Sequence, residues 1–268
     1  MAKRKYEFTG EKIELDDGRK LHRIRALKDF NGVKKGQLGG FIESEDCLSH
    51  ERQCWVGDDA KVYGKSSISL DVRVLDNAEV YCSNVSGCSM IKGSAQVADS
   101  TIEDSAIISD DAYVFGSLIY GRAQVYNNAR LIGRDKSVKV GNLAEVFEKA
   151  TVMGAVEIMN AARVYGTSWI LNPMLPDGSS PLPIIISGYA QVYDQGEVNR
   201  QGIIVSGEQE VYGNQVLGYD FKQIGDKLDH LHLAISKKYH PSREPLDQLI
   251  LNLDNKQLWL EKESAAYL

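Results

Sequence analysis

Residues 56–80 read VGDDAKVYGKSSISLDVRVLDNAEV, and within them Val56, Val62, Ile68, Val74 and Val80 fall six residues apart. A small residue stands two positions ahead of these anchors, as in Ala60, Ser66 and Ala78. The same Ala-x-Val pair returns at Ala95/Val97, Ala112/Val114, Ala123/Val125, Ala144/Val146, Ala150/Val152, Ala162/Val164 and Ala190/Val192. A period of six matches neither the stripe of an amphipathic helix nor the alternation of an ordinary strand. It matches a solenoid in which each hexad supplies one short strand and one corner, three hexads to a coil.

From Val80 to Val125 the anchors read Val80, Val85, Ile91, Val97, Ile102, Ile108, Val114, Ile119, Val125. The five-residue steps all leave one face, which gives coils of seventeen residues rather than eighteen. With that register, the position after each anchor sorts into outward columns. One reads Tyr63, Tyr81, Ala98, Phe115, Ile132, Met153, Leu171, provided that Gly133–Ser137 carries a bulge of three residues. A second starts polar and ends Tyr126, Phe147, Tyr165. The third is mostly small or polar: Ser69, Ser86, Glu103, Tyr120, Gly141, Met159. A long apolar stripe on the outside of a soluble protein marks an interface. For a three-faced prism the expected assembly is a homo-oligomer of three copies; the competing expectation is that the chain's own C-terminal segment covers the stripe.

Residues 1–50 lack the beat. Ile13 and Leu15 lead into Asp16-Asp17-Gly18-Arg19, and a second run follows at residues 21–27, the pattern of a β-hairpin. This region is expected to cap the first coil, because a bare solenoid end exposes unpaired strand edges. The coils span 51–218, interrupted by a proline-rich insertion at 172–183. From 219 to 268 the spacing turns helical, with Ile224, Leu228, Leu231 and Ile235, then Leu246, Leu249, Ile250 and Leu253.

The chain has 268 residues, 43% of them apolar and 25% charged, enough to bury a core. A net charge of −6 argues against nucleic acid as the main partner. Lys3, Arg4 and Lys5 are not followed by the apolar run of a signal peptide, so a cytoplasmic location is expected, and no stretch has the length of a membrane span. Cys47, Cys54, Cys82 and Cys88 form no Cys-x-x-Cys pair; reduced structural thiols are expected, and no metal site.

The Ala-x-Val-Tyr-Gly hexads resemble those of hexapeptide-repeat proteins that fold as left-handed β-helices, the architecture of many acyltransferases. Leu38-Gly39-Gly40-Phe41-Ile42-Glu43, Leu48-Ser49-His50 and Cys54-Trp55-Val56 resemble, more narrowly, the start of YdcK-like proteins, and the resemblance runs over roughly residues 6–218. It implies a left-handed solenoid with a small N-terminal β cap. It also implies a phage or prophage setting.

Acyltransferases of this architecture use a histidine base in a cleft between subunits, with an acyl-CoA donor along the groove. Residues 51–218 contain no histidine. His50 is the candidate base if the chain is an enzyme, and seating the cap is its competing role. His22 reads as a packed hairpin residue, His230 and His232 point apart on a helix, and His240 sits in a turn. Asp58-Asp59, Asp110-Asp111 and Glu145/Glu148 read as solvated corners. No phosphate-binding loop, dinucleotide fingerprint or nucleophile elbow is present.

The leading expectation is a non-catalytic oligomer that binds a small, anionic or nucleotide-like ligand, or a partner, in grooves between subunits. Tyr63, Tyr81, Phe115, Tyr126, Phe147 and Tyr165 would stack on it, with Arg122, Arg130, Arg134 and Lys136 supplying charge and no cofactor needed. In a viral setting such a groove would sequester a host signalling molecule. The alternative is an acyltransferase using acetyl-CoA or another acyl-CoA; the third is a structural or adaptor protein.

Overall fold

The computed structural model describes residues 4–134, 137–172 and 181–218. Lys136, most of the 172–183 insertion, the helical stretch 219–268 and its three histidines therefore lie outside the described residues. The described chain is mostly β: three sheets of twelve, nine and eight strands, parallel throughout the coils, wind into a β-solenoid of the hexapeptide-repeat kind. Each coil lays one strand on the twelve-stranded sheet, one on the eight-stranded sheet and one on the nine-stranded sheet.

The anchors point inward with one correction: Ile204, the anchor expected from the six-residue count after the insertion, is exposed, and Val205, one residue later, takes the buried place. Val56, Val62, Ile68, Val74, Val80 and their successors to Val198 and Val205 are fully buried, and the small residues two positions earlier are buried with them. Between coils the anchors stand in register, Val80 on Val97, Val97 on Val114 and Val114 on Leu131. Such stacking removes every anchor from water at the cost of one short strand per rung.

The five-residue steps have a physical cause. At that corner Ser83, Ser100 and Ser117 each donate a hydroxyl to the carbonyl two residues back, at 2.7–2.8 Å. Each of these serines also donates its backbone N–H to the hydroxyl of the serine one coil earlier: Ser83 to Ser66, Ser100 to Ser83 and Ser117 to Ser100, at 3.0–3.2 Å. The carbonyls at this corner also accept an N–H from the next coil, so what the shortened corner leaves without a backbone partner is the serine N–H, and the buried hydroxyl of the coil before supplies it. The other corners rest on left-handed residues, largely Asp and Asn: Asp58, Asp76, Asp110, Asn127, Asn142, Asn160 and Asp194 all have positive φ. Glu148 joins them, but Glu145 does not: it lies in a strand, where it pairs with Arg163, and is not the solvated corner its spacing suggested.

At the N-terminus, strands β1 (Tyr6–Glu14) and β2 (Lys20–Ala26) form an antiparallel hairpin turned at Gly18. Strand β3 (Leu38–Ile42) pairs antiparallel with β2 and parallel with the strand at Lys61–Tyr63. The hairpin thus continues the twelve-stranded sheet and pairs its first edge. Gly39 and Gly40 are required here, since a Cβ on Gly39 would strike the Trp55 ring and one on Gly40 the carbonyl of Ala60.

The apolar column on the twelve-stranded sheet has the expected register, Tyr63 on Tyr81, then Ala98, Phe115, Ile132, Met153 and Leu171, bulge included. Its exposure does not follow the expectation. Within one chain Tyr63 is 3% exposed, Phe115 6%, Ile132 2% and Met153 and Leu171 1%, with Tyr81 half-buried. At Tyr63 the cover is the hairpin, whose Leu21 packs with Phe41 against the ring. An outward direction is not solvent exposure, and the argument for three copies built on this stripe loses its footing.

Candidate functional site

The second aromatic column is longer than the sequence reading made it. On the nine-stranded sheet the rings of Tyr126, Phe147, Tyr165, Tyr193 and Tyr212 stack in a continuous ladder. Centroid spacings are 4.9, 4.8, 5.1 and 5.4 Å, and interplanar angles 1°, 3°, 6° and 13°. The cause is the register: Val125, Val146, Val164, Val192 and Val211 pair coil upon coil, so the residue after each is repeated at about the strand spacing of 4.8 Å. Identical backbone positions impose parallel planes. Tyr193 and Tyr212 follow Val192 and Val211, the two anchors of this sheet beyond the 172–183 insertion, and that spacing was the signal for them.

The ladder's cation is Arg163, which the sequence reading passed over. Its guanidinium lies 5.3 Å from the Phe147 ring centre and 6.0 Å from that of Tyr165, and it is held by Glu145 at 2.7 Å. Tyr165 donates its hydroxyl to Gln191 Oε1 and Tyr193 donates to Glu210 Oε2, both at 3.1 Å. Desolvation, followed by the bond to Glu210, pushes the Tyr193 phenol up to about 12, and desolvation raises Tyr126 and Tyr165 as well. At neutral pH these hydroxyls stay protonated and act as donors.

The cations expected to serve the rings are scattered. Arg122 is exposed at the corner following Gly121, ahead of the ladder strand. Arg130 is on the twelve-stranded sheet near Tyr113, where burial lowers its pKa. Arg134 is in the bend closed by its own N–H to Ser137 Oγ. Tyr63, Tyr81 and Phe115 belong to the other sheet, with Arg19 rather than any of these cations over Tyr63 and Tyr81. The six expected rings therefore lie on two faces of one chain, Tyr63, Tyr81 and Phe115 on the twelve-stranded sheet and Tyr126, Phe147 and Tyr165 on the nine-stranded sheet.

Beside the ladder, the corner residues that follow each ring line an open cavity of about 760 Å³. Its walls are Asn127 and Asn128, Glu148 and Lys149, Gly166 and Thr167, Asp194 and Gln195, Gly213 and Asn214, one pair from each of five coils. Two carboxylates against one ammonium leave it a slight negative charge. The rest is amide and hydroxyl, repeated at the coil spacing on a rigid frame.

His50 is 21% exposed at its side chain and held at the cap through Nδ1 and its ring face, while its buried Nε2 makes no hydrogen bond. Its Nδ1 accepts the Lys5 N–H at 3.2 Å, its ring stacks on Tyr6 at 4.3 Å, and Nε2 lies 3.8 Å from Glu45. Burial lowers its pKa against the opposing pull of Glu45. It ties the first strand to the first coil and does not face the corner cavity, so the geometry gives it a seating role. His22 packs on Phe8 at 4.9 Å. The four cysteines are free thiols. Among the described residues no helix is long and apolar enough to cross a membrane.

These features define a hexapeptide-repeat β-solenoid carrying an aromatic ladder beside a polar corner groove. No family model matches the chain. Over 93 residues it is 34% identical to a protein of Escherichia coli K12 described as the uncharacterized acetyltransferase YdcK; the match covers 30% of this chain and 28% of that protein. The chain is thus similar to a part of YdcK amounting to less than a third of either protein.

Proposed function

We propose that the chain is a non-catalytic binding solenoid whose corner groove holds a small, uncharged, hydroxyl-rich ligand such as an oligosaccharide. The observation that carries this reading is the row of amide, hydroxyl and ammonium side chains at one-coil intervals, Asn128, Lys149, Thr167, Gln195 and Asn214, with the carboxylates of Glu148 and Asp194 beside them. Hydroxyl groups both donate and accept, and paired amides and carboxylates complement them. A dianionic ligand gains nothing from a groove with Glu148 and Asp194 in its wall. A nucleotide base needs a free ring face, and inside the ladder each face is occupied by the next ring. Thermal unfolding across a panel of neutral oligosaccharides, nucleotides and acyl-CoA thioesters tests this. A rise in Tm with a neutral saccharide is expected; a rise confined to nucleotides refutes the ligand class.

The second reading is acyl transfer, favoured by the printed description of the bacterial relative. It requires a base that His50, occupied at the cap, does not supply to the groove. Consumption of acetyl-CoA in the presence of an amine panel, retained in His50→Asn, decides for acyl transfer without His50. Assembly into a homo-oligomer belongs to the same proposal, and light scattering on the full chain measures it.

A further inference from the structure

Lys5 is the most unusual charge in the molecule. It is fully buried at 0% exposure, and so is Cys54. Its Nζ donates to the carbonyl of Cys54 at 2.7 Å, to that of Glu51 at 3.4 Å, and lies 3.1 Å from Cys54 Sγ. The Phe30 ring closes the site, 5.4 Å from the nitrogen. Nitrogen and sulfur are therefore in van der Waals contact, in a cage they cannot leave while the cap is seated. Cys47, the other buried thiol, has oxygens for neighbours instead, with Ser44 Oγ and the Gly64 carbonyl each 3.9 Å from its sulfur.

We propose that Cys54 and Lys5 are an oxidative crosslinking pair, joined by a sulfur–nitrogen bond when the protein meets hydrogen peroxide. In the first step the Cys54 sulfur takes one peroxide oxygen: the O–O bond breaks, water leaves, and the thiol becomes a sulfenic acid, oxidised by two electrons. In the second step the lone pair of the Lys5 amine attacks that sulfur. The S–N bond forms, the S–O bond breaks, and the departing hydroxide takes a proton from nitrogen as a second water. One thiol, one amine and one peroxide give one sulfenamide and two waters.

Burial favours the reactive form of the amine. It lowers Lys5, which favours the attacking amine of the second step, and raises Cys54, which holds the sulfur off the more reactive thiolate until a local opening admits water and peroxide for the first. Entry for peroxide is short: the turn at Glu51, Arg52 and Gln53 that covers the sulfur is exposed, and a local opening there uncovers it. Once formed, the link fastens the first strand to the first coil across 49 residues of chain and stiffens the cap that His50 also holds.

The test is peptide mapping of the full chain after graded peroxide, with Cys88, the exposed thiol, as the internal gauge of oxidation. The expected product is a peptide pair joined at Lys5 and Cys54, lighter than its parts by two hydrogens and released by dithiothreitol. Intact oxidised protein is expected to melt higher than reduced protein. Lys5→Met removes the link and leaves Cys54 open to sulfinic acid; Cys54→Ser, which keeps a polar partner for the ammonium, removes the link without emptying the cage. Recovery of free Cys54 alongside oxidised Cys88 overturns the proposal. So does Cys54 sulfinic acid with Lys5 unmodified.

Discussion

Removing an interior ring from the aromatic ladder is expected to cost far more than removing its end. Phe147 stacks on Tyr126 at 4.9 Å and on Tyr165 at 4.8 Å, with Arg163 5.3 Å from its ring centre. Two ring pairs at roughly 0.5–1.5 kcal/mol each give about 2 kcal/mol. Half-burial of the side chain adds about 1 kcal/mol, and the guanidinium contributes about 0.5 kcal/mol at an exposed site. Phe147→Ala should therefore destabilise by about 3.5 kcal/mol. Tyr212 has one partner, at 5.4 Å and 13°, and is 46% exposed, so Tyr212→Ala should cost about 1 kcal/mol. Urea unfolding followed by circular dichroism measures both, with unchanged m-values as the sign that the same unfolding is being compared. Phe147→Leu separates the causes: it keeps most of the buried area, loses the stacking, and should fall between the two. Equal losses for Phe147→Ala and Tyr212→Ala, or a Phe147→Leu variant as stable as the parent, would refute the idea that ring-on-ring contact carries the ladder.

Three further outcomes are expected. Ser100→Ala removes a buried hydroxyl that donates to Ala98 and accepts from Ser117; the Ala98 carbonyl keeps the Gly116 N–H, so one backbone group, the Ser117 N–H, is left unpaired, and urea unfolding should show a loss of about 1 kcal/mol. Gly141→Ala places a methyl in the Tyr120 ring, which lies directly over that glycine. The variant should melt lower than the parent, and adding Tyr120→Ala should restore part of the loss, a coupling that a double-mutant cycle reads. His50 has a folded pKa below its ordinary 6.5 because burial disfavours the imidazolium. The unfolded chain then binds the proton more readily, so stability falls as pH drops through about 6.5 and levels off below the folded value. Tm followed from about pH 7.5 to about pH 5.5 should decline in the parent and decline less in His50→Asn.

The coils were legible because the repeat encodes its own register: five-residue steps at Val80, Val97 and Val114 all mark one corner. The ladder was legible as far as Tyr165 and then lost, since the proline-rich insertion separates Val164 from Val192 and breaks the count that leads to Tyr193 and Tyr212. Arg163 was overlooked for a related reason. Its partner Glu145 is 18 residues away in sequence and directly beneath it in space, whereas Arg122, Arg130 and Arg134 were chosen for nearness along the chain. Burial of the Phe115 column was open in the sequence, which allowed either an interface between copies or cover by the chain itself. A repeat states which way a side chain points, and whether something covers it is decided elsewhere in the fold. Lys5 shows the same limit: in sequence it ends a basic run, and in space it fills a cage around Cys54.

Amide chemical-shift mapping of the protein during titration with neutral oligosaccharides tests the binding account most directly. The account predicts that the perturbed amides cluster at 127–128, 148–149, 166–167, 194–195 and 213–214, one pair per coil, with acetyl-CoA left intact in the same tube. Perturbations that avoid this corner, or that follow acetyl-CoA as its thioester is consumed, would contradict it.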